Sequence, residues 1–279
     1  VYLLTQVGVQ PSELFIATFT DKAARELVTR ISNELDERGL HVNVKEMYIG
    51  TFHSLALRII KENLEFTRLK TGFHVLDSFD QAYTIFQNFH YFDMIENIDV
   101  LLAKGGRWRK AGKICSWVNS LAEELLTPAQ LLEDPTVEMQ VLGEIYQTYQ
   151  RLMSEQNLLD FASIQVEALR MLQEHNTVRD RYIDQFRYIM VDEYQDTNYI
   201  QERLVFLLGS KHRNICVVGD DDQGLYRFRG ATIRNILEFP RQFGEAECAI
   251  IQLTENYRST PGIINFYNNW METTAGARF

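Results

Sequence analysis

The stretch Tyr188-Ile189-Met190-Val191-Asp192-Glu193-Tyr194-Gln195-Asp196-Thr197 decides the reading of this chain. An apolar, strand-like run stops abruptly at two adjacent carboxylates and continues into further polar side chains. Strands of this kind belong in buried parallel sheets, and such sheets place ligand chemistry at the carboxyl ends of their strands. There, Asp192 suits a hydrated Mg²⁺, while Glu193 suits orienting and deprotonating an attacking water. Taken alone, the pair also fits a plain acidic loop after a strand.

A second strand ending built on the same plan tips the balance. Asn214-Ile215-Cys216-Val217-Val218-Gly219-Asp220-Asp221-Asp222-Gln223 sets Gln223 beside the Asp192-Glu193 edge, where an amide can sense a terminal phosphate. Next, Gly224-Leu225-Tyr226-Arg227-Phe228-Arg229-Gly230 alternates aromatic rings with guanidinium groups. Rings stack on bases whatever the sequence, and arginines hold phosphates or stack in turn. The alternative is a Tyr/Phe pair buried as core with solvated arginines.

With VDEYQDT at 191–197, GDDDQGLYRFRGA at 219–231 and LTENYRST at 253–260, the chain resembles the superfamily 1 DNA helicases of the UvrD, Rep and PcrA type. FIATFTDKAARELVTRI at 15–31, IGTFHSLALRII at 49–60 and LLDFASI at 158–164 resemble further motifs of that family, in the family's order. Between the early motifs and LLDFASI, only the helical character matches.

The resemblance implies an α/β fold, a RecA-like parallel sheet flanked by helices with an inserted all-helical subdomain. It implies ATP and Mg²⁺, with Asp192 on the metal, Glu193 as the base and Gln223 at the γ-phosphate. Tyr257 would stack on adenine, and Arg258 would reach across as an arginine finger, a role guanidinium suits because it stays charged and bonds two phosphate oxygens at once. Single-stranded DNA would meet Phe19 as a stacking ring together with Thr20, Lys22, Thr51, Phe52 and His53. Tyr226, Phe228 and Arg229 would extend that track. The implied activity is ATP-dependent 3′→5′ translocation and duplex unwinding at single-strand/duplex junctions, with DNA-repair or replication proteins as partners.

Three positions depart from the family wording: Asp21 stands where Asn is common, Gly224 where Ser is, and Ala162 where a second acid is. Asp21 adds negative charge beside the phosphate track. One alternative is a helicase-like subunit of a recombination nuclease of the AddA and RecB type, which typically reads GDPKQ or similar where this chain has Asp220-Asp221-Asp222-Gln223. A second is a degenerate DNA- or partner-binding module without ATPase activity.

Along the chain, residues 1–78 read as the first part of the ATPase domain, 79–156 as the helical insertion, and 157–245 as the second part. Residues 246–279 read as the start of a second RecA-like domain, with a strand over Ala249 to Leu253. In the insertion, Trp117, Leu121 and Leu125, then Ile145, Tyr149 and Leu152, recur at helical spacing, and Pro128 and Pro135 mark a break between helices. Tyr146 and Tyr149 read as core packing.

With 279 residues and 46% hydrophobic content the chain can bury a proper core. It shows no membrane-length apolar run and no secretory pattern, so a cytoplasmic protein is expected. Cys115, Cys216 and Cys248 have no paired spacing for a zinc or iron–sulfur site. A net charge of −10 argues against coating DNA by bulk electrostatics. Local cations remain at Lys22 and Arg25, at Arg227, Arg229 and Arg234, and from Lys104 to Lys113 around Trp108. The last cluster reads equally as a solvated loop or a duplex-DNA contact. No GxxxxGK[ST] loop occurs; Gly106 through Gly112-Lys113 imitates it with one residue too many and Ile114 in place of the hydroxyl. The expectation is a piece of a larger polypeptide that alone neither hydrolyses ATP nor unwinds DNA.

Overall fold

A computed structural model describes residues 1–220, 223, 233–243 and 247–274. The chain divides into two compact units, Val1–Glu238 and Phe239–Phe279. It opens with β1 (Leu14–Thr18), α1 (Asp21–Glu37), β2 (Tyr48–Thr51) and α2 (Phe52–Glu62). A helical excursion follows: β3 (His74–Val75), α3 (Ser78–Gln87), α4 (His90–Asp93), α5 (Asp99–Leu102), α6 (Arg107–Glu123), α7 (Pro128–Leu132), α8 (Val137–Glu155) and β4 (Leu158–Leu159). The chain returns through α9 (Phe161–Glu174), α10 (Asn176–Gln185), β5 (Tyr188–Val191), α11 (Tyr199–Leu208), β6 (Ile215–Val217) and α12 (Ile233–Phe243). The second unit carries α13 (Pro261–Thr274).

The main sheet has the order β2-β1-β5-β6, and every pairing is parallel. All five residues of the central strand β1 are buried, as an uninterrupted apolar strand requires. Edge-to-face rings pack beside it, Phe15 against Phe186 at 5.2 Å and Tyr48 against Phe186 at 4.8 Å. This is the expected RecA-like α/β architecture.

Parallel pairing brings the strand ends to one edge. Thr18 lies opposite Thr51, Ala17 opposite Val191, and Val191 opposite Val217. The ladder continues past the strands: Asp192 N–H donates to Ala17 O at 2.9 Å, and Tyr194 N–H to Val218 O at 2.9 Å. The segments beginning at Phe19, Phe52, Asp192 and Val218 therefore leave the sheet side by side.

The helical excursion has its own core, built on Ile85, Phe92, Ile114 and Ile145, with Tyr146 and Tyr149 buried in it. Pro128 opens α7 behind a Thr127/Gln130 capping box, because proline is tolerated in a first turn whose N–H groups lack helical partners. Gly106 caps α6 and so puts Gly112-Lys113 inside a helix, where backbone N–H groups are already spent on helical bonds. That segment is no phosphate loop.

A short parallel ladder, His74–Leu158 and Val75–Leu159, closes the neck of the excursion. Asn157 clamps it, accepting from Lys70 N–H at 2.8 Å and donating to Lys70 O at 3.1 Å. Ala249 to Leu253 corrects the sequence reading. No strand forms there, and Ile250, Ile251 and Leu253 are exposed. A strand needs a neighbour for its backbone groups, and no described residue pairs with this one.

Candidate functional site

Asp192 and Glu193 stand at the carboxyl edge of β5, both exposed. Glu193 adopts the left-handed conformation, φ 53° and ψ 46°, a backbone state that costs a residue with a Cβ about 1–3 kcal/mol. Among the described residues no cation pairs with either carboxylate. Partial burial, then the charge of Glu193, raise the Asp192 carboxyl above its ordinary value.

An uncompensated acid pair of this kind is relieved by a divalent cation. Mg²⁺ binds through one or two carboxylates plus water and phosphate oxygens, so the donor set fits it. No cluster of three or more His, Cys, Asp or Glu that could hold a metal occurs among the described residues. An ion here would complete its shell from water and substrate.

Gln195 links the two strand endings. Its Nε2 donates to Glu193 Oε2 at 2.6 Å, and its Oε1 accepts from Asp220 N–H at 3.1 Å. Asp220 Oδ2 in turn accepts from Gln223 Nε2 at 2.8 Å. A hydrogen-bonded path thus runs from the acid pair to Gln223. Gln195 is 1% exposed, and Gly219 makes room for it: a Cβ at that position would stand 2.4 Å from Gln195 Oε1.

Sequence reasoning gave Gln195 no role. The available signal was an amide between a strand end and the Asn198 cap of α11. The next residue, Asp196, is buried with one carboxylate oxygen unpartnered, and burial, then Glu193, push its pKa up to about 6.

On the neighbouring strand ends the threonines serve as caps. Thr20 Oγ1 accepts from Ala23 N–H at 3.1 Å and Thr51 Oγ1 from Ser54 N–H at 3.3 Å, each starting the next helix at the sheet edge. Asp21 falls in the first turn of α1, where the helix dipole favours an acid. Phe19 is half-buried; Thr20 and Lys22 are exposed. Phe52 lines the cleft at this edge from a largely buried position. It is 6% exposed and counts among the buried residues of α2.

His53 Nε2 lies 2.6 Å from Gln165 Nε2, and its ring meets Phe161 edge-on at 5.7 Å. Burial lowers its pKa, against the opposing charges of Asp21 and Asp160. Asp160 caps α9 by accepting from Ser163 N–H at 2.7 Å, while Tyr149 Oη and Gln81 Nε2 donate to its other oxygen. The helical excursion is thereby tied to α9, whose Gln165 touches His53. Phe19, Thr51, His53, Asp192, Glu193 and Gln201 line one small cleft.

Tyr226, Phe228 and Arg229 lie outside the described residues. Tyr257 and Arg258 belong to the second unit, where Tyr257 is 95% exposed. Asn256 Oδ1 accepts from Arg258 N–H at 3.0 Å and Ser259 N–H at 2.9 Å, turning the chain into α13.

Sheet order, parallel register and the acid-bearing edge define a RecA-like α/β protein. Residues 1–244 match the model of the UvrD/REP helicase N-terminal domain, and the chain belongs to that family. It is 35% identical over 268 residues to the ATP-dependent DNA helicase PcrA of Staphylococcus aureus strain Mu50, covering 96% of this chain and 34% of that protein. It is 34% identical over 270 residues to the protein of the same name from Staphylococcus epidermidis strain ATCC 35984, with the same coverage. The chain spans 34% of the length of these curated relatives.

Proposed function

We propose that this chain is the ATP-hydrolysing and strand-tracking part of a DNA helicase that moves 3′→5′ on single-stranded DNA and opens duplex junctions. The observation that carries the reading is the path Glu193–Gln195–Asp220–Gln223, which shares its sheet edge with Phe19, Thr20, Thr51 and His53. One edge thus presents acids and an amide suited to a triphosphate beside a ring and hydroxyls suited to a nucleic-acid strand.

In this reading Asp192 would hold Mg²⁺, which would supply positive charge against the phosphates. Glu193, aimed by Gln195, takes the proton of the attacking water. Gln223 reports the terminal phosphate back through Asp220, while Tyr257 and Arg258 serve adenine and γ-phosphate. Phe19 stacks on a base, Lys22 pairs with a phosphate, and Thr20, Thr51 and His53 line the strand over a floor made by Phe52. Tyr226, Phe228 and Arg229 continue the track. Residues 79–156 act as a helical insertion in an ATPase domain made of 1–78 and 157–245, and 246–279 begin a second RecA-like domain. Repair or replication proteins are the partners we assign. We place the protein in the cytoplasm, and no helix among the described residues is long and apolar enough to cross a membrane.

The test is made in a polypeptide that joins this chain to a phosphate-binding loop. Glu193→Gln should lower DNA-stimulated phosphate release by about 10²–10⁴-fold while leaving binding of a fluorescent ATP analogue intact, since the amide keeps shape but accepts no proton. Unaltered turnover removes Glu193 from the base role. Duplexes with 3′ tails should be unwound and those with 5′ tails left intact; the opposite preference would reverse the assigned direction.

A further inference from the structure

Helix α3 turns one face inward and a different kind of face outward. Ala82 and Ile85 fill the core of the helical excursion. Phe79, Tyr83 and Phe86, at i, i+4 and i+7, line up on the wet side. Trp108, near the start of α6, sits against both ends of that row, 5.6 Å from Phe79 and 5.7 Å from Phe86. The row itself is stacked: Phe79 and Tyr83 are 6.2 Å apart at 9° between planes, and Tyr83 and Phe86 6.5 Å apart at 18°. The rings are 37% to 63% exposed, although each is large enough to bury 150–250 Å². None of the four rings belongs to the core cluster of the excursion.

Beside the rings runs Lys104 to Lys113, which carries cations and no acid in a chain whose net charge is −10. Gly105, at φ 109°, makes the turn that leads into α6. Arg107 is engaged by Asp93 at 3.5 Å. Among the described residues, Lys104, Arg109, Lys110 and Lys113 have no ion-pair partner. A ladder of exposed rings next to unpaired cations matches the chemistry of an unpaired polynucleotide, which offers base faces and phosphates together. A duplex offers its phosphates but keeps base faces stacked inside, which would leave the rings without a partner.

We propose that the Phe79–Tyr83–Phe86–Trp108 ladder and the adjoining Lys104–Lys113 segment form a second binding surface for single-stranded nucleic acid, on the helical excursion and separate from the strand track at the sheet edge. Bases stack on the rings, and Arg109, Lys110 and Lys113 take the phosphates. The surface does not depend on ATP hydrolysis.

The experiment follows fluorescence anisotropy of labelled oligo-dT with the 279-residue chain across a salt series. Trp108→Ala and Phe79→Ala, both at exposed positions, should each weaken binding by about 5- to 150-fold, the value of one base stacked on one ring. Arg109→Ala with Lys113→Ala should flatten the salt slope by about 0.7 for each phosphate contact removed. Lys22→Ala reports the sheet-edge track in parallel. Losses with the ring variants and none with Lys22→Ala would support this surface while counting against the track. Losses with Lys22→Ala and unchanged binding by both ring variants would overturn the surface and leave the track standing. Equal competition by a blunt duplex, or no oligo-dT binding at all, would also overturn it. Matched thermal melts of the variants exclude loss of fold as the cause.

Discussion

Gln195 holds Glu193: the amide Nε2 donates to Glu193 Oε2 at 2.6 Å from a side chain that is itself 1% exposed. The other end of the same amide accepts Asp220 N–H at 3.1 Å, so one residue couples the endings of β5 and β6. A buried amide bonded at both ends has a fixed orientation, and it passes that orientation to the acid it touches. Replacing Gln195 with Ala removes both hydrogen bonds of a buried amide and releases Glu193 from it. Stability should fall by about 1–3 kcal/mol, read as a lower urea midpoint. In a polypeptide that joins this chain to a phosphate-binding loop, kcat should fall with little change in KM for ATP.

Gly219 tests the same joint by overpacking. A methyl group there would stand 2.4 Å from Gln195 Oε1, which is held by hydrogen bonds at both ends of its amide, and 2.8 Å from Ile236 Cδ1. Gly219→Ala should cost about 1–3 kcal/mol, again by urea denaturation. A variant as stable as the parent would mean that Gln195 has room to move.

Asp196 makes stability depend on pH. Its folded pKa is raised to about 6 from 3.8, by burial and then by Glu193. The folded state therefore holds the proton more tightly than the unfolded chain. The contribution is fully present below the unfolded value and is lost as pH rises through about 6. Asp196→Asn, which cannot ionise, should be more stable than the parent at pH 7 to 8, with the gap closing towards pH 4. A constant difference between thermal melts across that range would show that the carboxyl does not titrate as described.

Tyr149 joins the excursion to α9 by donating to the Asp160 carboxylate, which is 3% exposed. Tyr149→Phe removes a donor from a buried acid and leaves only Gln81 Nε2 at 3.3 Å on that oxygen. The expected loss is about 1–3 kcal/mol. Because Asp160 caps the helix carrying Gln165, the same variant should change the chemical shifts of the His53 ring, followed by NMR.

The parallel sheet, the helical excursion and the acid-bearing edge were legible because each has a local signature. An apolar run ending in acids marks a strand end, and spacings of three and four mark helices. Gln195 was not legible, since its role depends on Asp220 approaching from another strand. Nor was the burial of Phe52 within the cleft lining. The strand expected at Ala249 to Leu253 failed for the matching reason: its residues suit a strand, but strand formation needs a partner, and no described residue supplies one.

By itself, then, the sequence determined the helices, the strands of the main sheet and the side chains at their ends, because propensity, capping and periodicity act over a few residues. Tertiary structure alone decided which of those side chains meet. The path from Glu193 to Gln223 and the link from Tyr149 through Asp160 towards His53 close contacts between residues far apart in the chain. Such contacts exist only once parallel strands align their carboxyl ends and buried polar groups must find partners there.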